Sequence, residues 1–321
     1  MPITPELATL DLMDSGKLRR ALAVKGLTPA TAVAEASGGR SEEACVRPAT
    51  LVEGSVLRTV PVGSPEPWGE TVAFLDGVQR SELVAYAGAA PIIHAEVAAG
   101  VRERTNSRLA TVAVERKSLV LGRPSGLAAA GAALNGFTTV ALPEDEPPHP
   151  ARDLANASRA IDQARGALER AVAARYRDRS DAWLIVDGAL SESPAWAEDP
   201  RILGVAKSHA TLPFEGEDLE RYLHLPYGHR SSVFKPASRS VAPVYAWALR
   251  LWSWEGRDLF HGLIRVEVAP ANGSPATADL ISRRLLAERA PISTPDPRWD
   301  RLLYGIHSVE MCLRAGAGVP A

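Results

Sequence analysis

Short apolar runs closed by polar residues alternate along the chain with stretches of helical spacing. TVAFLD (71–76) predicts a buried strand that stops at Gly77. ELVAYAGAAPIIHAEVAAGVR (82–102) reads as extended apolar segments with a break at Gly88–Pro91, and TVAVERKSLVLG (111–122) alternates well enough for a further strand. Between 152 and 177, Leu154, Ala157, Ile161, Ala164, Leu168 and Ala171 recur at spacings of three and four, which predicts an amphipathic helix. AWLIVD (182–187), ILGVAK (202–207) and LIRVEVA (263–269) predict strands, and 276–289 and 299–314 return to helical spacing. Strands mixed with long helices favour an α/β or α+β fold over an all-β one.

Residues 1–70 read as an N-terminal extension, with 71–321 as the main domain. The extension has a helical pattern over Pro5–Lys25, a Ser/Gly/Glu-rich link near Ala36–Glu43, and a loop at Val62–Gly69 that contains Gly63, Pro65, Pro67 and Gly69. A second irregular stretch, 123–150, is Ala/Gly-rich and ends in PEDEPPHP; it reads as an excursion before the long helix.

Composition narrows the function classes. The 321 residues are 46% hydrophobic and 23% charged, ordinary for a soluble globular protein with a sizeable core. A formal net charge of −2 gives no basic field over the whole molecule, so a nucleic-acid role needs local basic patches. Cys45 and Cys312 form no C-x-x-C pair, which suits a reducing cytoplasm. The first residues, MPITPELATLDLMDSG, carry acids and no long apolar core, so no signal peptide is expected. The longest apolar stretch, Leu127–Leu134, is too short to span a bilayer, and no membrane association is expected.

The sharpest chemical signal is a pair of strand-ending Asp-Gly steps, FLDG (74–77) and IVDG (185–188). Each puts a carboxylate, Asp76 or Asp187, at the rim of a sheet, and two such strands side by side would bring both to one divalent cation such as Mg²⁺ or Mn²⁺. Asp-Gly is also a common turn. Glu169 follows Leu168 at the border of the helical stripe, where it can lean over the same rim or pair with Arg165. Lys207, after ILGVA, can hold a phosphate there or be an ordinary strand-end lysine.

From 221 to 250 the chain carries Arg221, Arg230, Lys235, Arg239 and Arg250 and no acid, interleaved with Tyr222, Tyr227, Phe234, Tyr245 and Trp247. That composition suits a nucleic-acid groove, and core aromatics with surface arginines give the same pattern. Tyr304 and His307 share a helix face, from which they could orient water or move a proton. The sequence has no G-x-x-x-x-G-K-[ST], H-E-x-x-H or G-x-S-x-G.

Taken in order, LDG (75–77), LER (168–170), VDGAL (186–190), GVAKS (204–208), HRSSVF (229–234), RVE (265–267) and LLYGIHSVEMCLRA (302–315) resemble the NurA nuclease family over about residues 71–315. The resemblance implies an RNase H-like fold related to the PIWI domain, a mixed sheet flanked by helices. It implies a Mn²⁺-dependent DNA nuclease, Mg²⁺ being the other candidate ion, usually a homodimer that works with a hexameric HerA-type ATPase in end resection; a role in phage defence is the other setting. Asp76, Glu169 and Asp187 match the acidic metal set and Tyr304 the C-terminal tyrosine. Lys207 and His307 would assist, and Arg230, Lys235 and Arg239 would track the DNA strand. Three positions depart from the family pattern: Val78 replaces a serine, Gly305 a proline, and Cys312 occupies the register of a histidine. The alternative is a NurA-like or PIWI-like module that binds DNA or the ATPase without cutting. Retention of the three acids favours the enzyme and Cys312 favours the module. A guide-dependent PIWI nuclease fits less well, because the chain is too short for separate guide-binding domains.

Overall fold

The computed structural model describes residues 15–29, 44–237, 242–291 and 298–316. The start of the expected Pro5–Lys25 helix and the Ala36–Glu43 link lie outside them. The principal elements are α1 (Ser15–Val24), β1 (Val72–Ala87), β2 (Ala90–Thr105), β3 (Arg108–Gly122), α2 (Pro150–Arg177), β4 (Trp183–Asp187), β5 (Ile202–Ala206), β6 (Tyr245–Arg250), β7 (Leu263–Val268), α3 (Pro275–Glu288) and α4 (Tyr304–Ala315). This is the mixed α/β architecture expected. The chain clusters into two compact units. The first draws on Met1–Arg40, Val78–Ala98 and Arg116–Leu168, and the second on Ser41–Gly77, Ala99–Glu115 and Glu169–Ala321.

In the second unit β4 is the inner strand. It pairs in parallel with β1 from Val72↔Trp183 to Leu75↔Val186, and with β5 from Ile202↔Leu184 to Val205↔Asp187. β5 pairs antiparallel with β7, and β7 with β6. WLIV of β4 is wholly buried, which is why its sequence is a continuous apolar run without alternation. Ile281 and Leu285 of α3, and Ile306, Val309 and Leu313 of α4, are each 1% exposed or less. Their three- and four-residue spacing gives one apolar face per helix. Each such side chain contributes about 1.5–3 kcal/mol. Trp247 Nε1 donates to Ser282 Oγ at 2.9 Å and ties α3 to β6.

In the first unit, Leu18 and Leu22 of α1 pack with Val84, Ile92, Val120 and Leu134. The excursion over 123–150 is more regular than its composition suggests: Pro124–Ala130 is helical and Thr138–Ala141 pairs in parallel with Leu119–Gly122 of β3. Buried Arg123 holds it, with Nε and Nη2 donating to Asp153 at 2.8 and 2.9 Å and further bonds to the carbonyls of Glu146 and Pro147.

Two expected boundaries are corrected. The strand begun by TVAFLD does not stop at Gly77 but runs on to Ala87. Gly77 is absent from the positive-φ glycines, so the backbone passes through it without a turn. The pattern over 299–314 divides into a 3-10 turn, Trp299–Arg301, and α4, which starts at Tyr304. Among the described residues no helix is long and apolar enough to cross a membrane.

Candidate functional site

Strand register brings the two Asp-Gly steps together. The parallel pairing of β1 with β4 ends at Leu75↔Val186, so Asp76 and Asp187 are the next positions on adjacent strands. Val205 lies opposite Asp187 on the other side, and Lys207 follows two residues later. Lys207 Nζ donates to Asp187 Oδ2 at 2.9 Å. Asp76 is buried, and its Oδ1 accepts the Gly77 N–H at 2.8 Å. Glu169, on the last turns of α2, is also buried, and its carboxylate lies so close to Gly77 that a Cβ at 77 would overlap it.

Like charges crowd Asp76. Burial is the largest effect holding the Asp76 carboxyl well above the usual carboxylate range, and the negative charge of Asp187 pushes the same way. Lys207 opposes them, Glu169 adds to the rise, and the Gly77 N–H lowers it slightly. Asp187 and Glu169 thus both act on Asp76 with like charge, and an added cation would relieve that repulsion. Among the described residues no three acidic, histidine or cysteine side chains stand as a ready ligand set, and Asp187 is bonded to Lys207 instead. The donor chemistry, hard carboxylate oxygens, would suit a divalent ion such as Mn²⁺ or Mg²⁺.

The turn after Asp187 is built to stay open. Gly188 has φ +128°, a conformation closed to most side chains, and its N–H donates to Val205 O at 3.0 Å. Gly204 lets this turn cross β5, because a Cβ there would strike Gly188 O. Glu267, fully buried on β7, accepts from the N–H of Leu190 at 2.9 Å and of Ser191 at 3.3 Å, while Arg265 Nε donates to its other oxygen at 3.0 Å. The RVE motif therefore supports the Asp187 turn, a role that its residue types alone did not reveal.

At the start of α4, Gly305 lies against the Phe74 ring, and any side chain at 305 would overlap it. Phe74 and Asp76 are two apart on β1, so Gly305 brings the first turn of α4 onto the strand that carries Asp76. Tyr304 is 50% exposed, and His307 is partly buried with Nδ1 lacking a partner among the described residues. Cys312 Sγ faces Thr111 Oγ1 of β3 at 3.4 Å.

The basic and aromatic alternation over 221–250 is mostly interior, and the surface role expected of Arg230 is corrected. Arg230 is 1% exposed, with Nη1 on Glu53 Oε2 at 2.6 Å and Nε on Asp279 Oδ1 at 2.5 Å. Arg250 is buried on the carbonyls of Leu223, Leu225 and Leu259, and Tyr222, Phe234 and Trp247 are core residues. Lys235 is exposed on the strand Phe234–Lys235. Arg239 lies outside the described residues.

No family model and no curated protein matches the chain. Among solved structures, the chain is similar to the crystal structure of the NurA nuclease from Sulfolobus solfataricus. The two are 12% identical, with a TM-score of 0.48, over 83% of this chain and 81% of that one.

Proposed function

We propose that the protein is a metal-dependent DNA nuclease that hydrolyses phosphodiester bonds at Asp76, Glu169 and Asp187. The observation that carries this is the crowding of like charge at one strand rim: Asp76 and Glu169 are buried, Asp187 is the next position on the adjacent strand, and the charges of Asp187 and Glu169 both push the Asp76 carboxyl upward. A divalent ion, Mn²⁺ or Mg²⁺, held by Asp76, Asp187 and Glu169 would neutralise the phosphate and acidify a water. Asp76 would hold the ion as a carboxylate, so metal affinity would rise with pH. Lys207 would turn its ammonium from Asp187 to a phosphate oxygen and hold it as a point charge. Tyr304, half exposed at the start of α4, would protonate a leaving oxygen, and His307, whose Nδ1 is buried and unpartnered among the described residues, would be auxiliary. Of the cations expected to track the strand, Lys235 is exposed and would follow it.

The ordered motifs from LDG to the tyrosine helix support DNA as the substrate, a homodimer as the working unit and a HerA-type hexameric ATPase as the partner, in end resection or phage defence. The missing P-loop fits a translocase on a separate chain.

The test is single-turnover cleavage of end-labelled DNA with and without Mn²⁺, wild type beside Asp187→Ala. The expected result is Mn²⁺-dependent cutting that Asp187→Ala abolishes while DNA binding persists. Equal rates in the two proteins overturn the assignment. A second reading, a DNA- or ATPase-binding module without cutting, is favoured by the absence of a ready ligand set among the described residues and by Cys312 in the histidine register. Wild-type protein that binds DNA and does not cut it with any divalent ion would select it.

A further inference from the structure

Lys207 faces two environments. One is the carboxylate Asp187, and the other is a cleft of about 590 Å³ that it lines together with Ser208, His209, Phe260, Arg301 and Val46. That volume falls within the roughly 300–1,000 Å³ typical of small-molecule sites. One part of the lining carries two cations, each with a carboxylate on one side: Lys207 on Asp187, and Arg301, whose Nε lies 3.4 Å from Asp300 Oδ2 and whose Nη1 donates to the Lys207 carbonyl at 3.4 Å. Another part is flat. The His209 and Phe260 rings stack with centroids 5.2 Å apart and planes 12° apart, and both are only partly buried. His209 Nε2 lies 2.9 Å from Leu263 O, a carbonyl that can only accept, so Nε2 carries the proton. Nδ1 is therefore an acceptor; it is buried and has no partner among the described residues, so the ring offers the cleft its face rather than a polar edge. The Ser208 hydroxyl side chain is exposed at the rim.

A ligand that answers these features is flat and bears an anion at one end. We propose that the cleft seats the nucleoside of the nucleotide whose phosphate Lys207 holds. The base lies against the His209–Phe260 stack and Arg301 neutralises the neighbouring phosphate. This placement rests on the nuclease reading for its substrate, while the cleft itself is a separate subsite. Stacking on aromatic rings accepts any base, so the subsite fixes the strand's position and not its sequence.

The experiment measures binding of deoxyadenosine monophosphate by calorimetry in EDTA, beside inorganic phosphate and deoxyadenosine. DNA cleavage kinetics with Mn²⁺ are run in parallel. Two variants probe the cleft: Arg301→Gln removes the outer cation, and Val46→Trp fills the space from a position 39% exposed on the strand Cys45–Val46. The monophosphate should bind about tenfold more tightly than either fragment, and each variant should weaken it about tenfold, within the range expected for one stacked base. Both should raise KM for DNA with little change in kcat, at unchanged melting temperature. Monophosphate binding no tighter than phosphate, or a Val46→Trp protein with unchanged binding and KM, overturns the subsite. Binding requires no cutting, so a protein that binds the monophosphate yet never cuts DNA keeps the subsite and loses the nuclease reading. One that cuts normally with the cleft filled loses the subsite alone.

Discussion

Gly77 lies directly under the carboxylate of Glu169, so close that no side chain fits between them. The glycine makes no turn; it lets the helix carboxylate reach a strand whose next residue back is Asp76. Gly77→Ala should therefore displace Glu169 without straining the backbone. The expected cost in stability is about 1–3 kcal/mol, the usual range for overpacking, with cutting reduced far more than folding. Melting curves and single-turnover cleavage separate the two. An alanine variant with wild-type cutting would mean that Glu169 has no part in the chemistry.

Asp76 supplies a second prediction, through its raised pKa. A carboxyl whose folded pKa lies above its unfolded value of 3.8 stabilises the fold while protonated, and that stability is lost as pH rises through the folded pKa. At neutral pH and without metal, the burial of Asp76 and the charge of Asp187 therefore cost stability. Asp76→Asn should melt higher than wild type in EDTA, by about 2–4 °C for each kcal/mol recovered, with the gap widening as pH rises. Mn²⁺ should then stabilise wild type, by about 2.7 kcal/mol at a hundred times Kd, and leave the variant nearly unmoved. Melting temperatures with EDTA and with Mn²⁺ across pH check both signs.

These two positions mark how far the sequence carried. Asp187 was legible because WLIVD is a buried inner strand and Gly188 adopts a positive φ, so apolar run and turn coincide. Asp76 was identified for a partly wrong reason. Its strand continues to Ala87, and an extended glycine looks in sequence like a terminating one. The burial of Glu169 depends on which face of α2 meets the strand, and the helical stripe placed it only at the border. The basic segment misled because the acids that neutralise Arg230 are remote: Glu53 stands 177 positions earlier and Asp279 49 later. The cleft beside Lys207 was illegible, since Val46, Phe260 and Arg301 meet only in the folded chain.

Arg230 itself gives a third prediction. Its removal leaves Glu53 buried without its main partner, which typically costs about 3–5 kcal/mol. Burial raises the Glu53 pKa, but the hydrogen bonds from Arg230 and the Val233 N–H, with the charges of Arg230 and Arg58, outweigh it and leave the pKa lowered. The stability from this pairing is present above the unfolded value of 4.5 and lost as pH falls through the folded pKa. Urea titrations should thus find Arg230→Ala strongly destabilised at pH 7 and closer to wild type in acid. Lys235→Ala should leave stability nearly unchanged and lower the salt dependence of DNA binding by about one unit of slope. The reverse assignment, with Arg230→Ala folding normally and losing salt dependence, would return Arg230 to the DNA surface.

Glu267 closes the set because it acts on Asp187 only through the backbone. One carboxylate oxygen accepts the N–H groups of Leu190 and Ser191, and the other accepts Arg265 Nε, so both oxygens are committed as acceptors. Glu267→Gln keeps the shape and replaces one acceptor with an NH₂ donor. Either the turn after Asp187 loses its anchor or Arg265 meets a donor, at a cost of about 1–3 kcal/mol for a buried group left unsatisfied. The effect on chemistry should follow from position: Gly188 and Leu190 would relax away from Gly204, and Asp187 would hold its carboxylate less firmly. Cleavage should then need more Mn²⁺ for half-maximal rate, with the maximal rate partly recovered at saturating ion and DNA affinity unchanged. Asp187→Ala should not recover at any Mn²⁺ concentration. A Mn²⁺ titration of both variants tells a positioning role from a direct one, and a Glu267→Gln enzyme with the wild-type Mn²⁺ requirement would show that the turn does not control the Asp187 carboxylate.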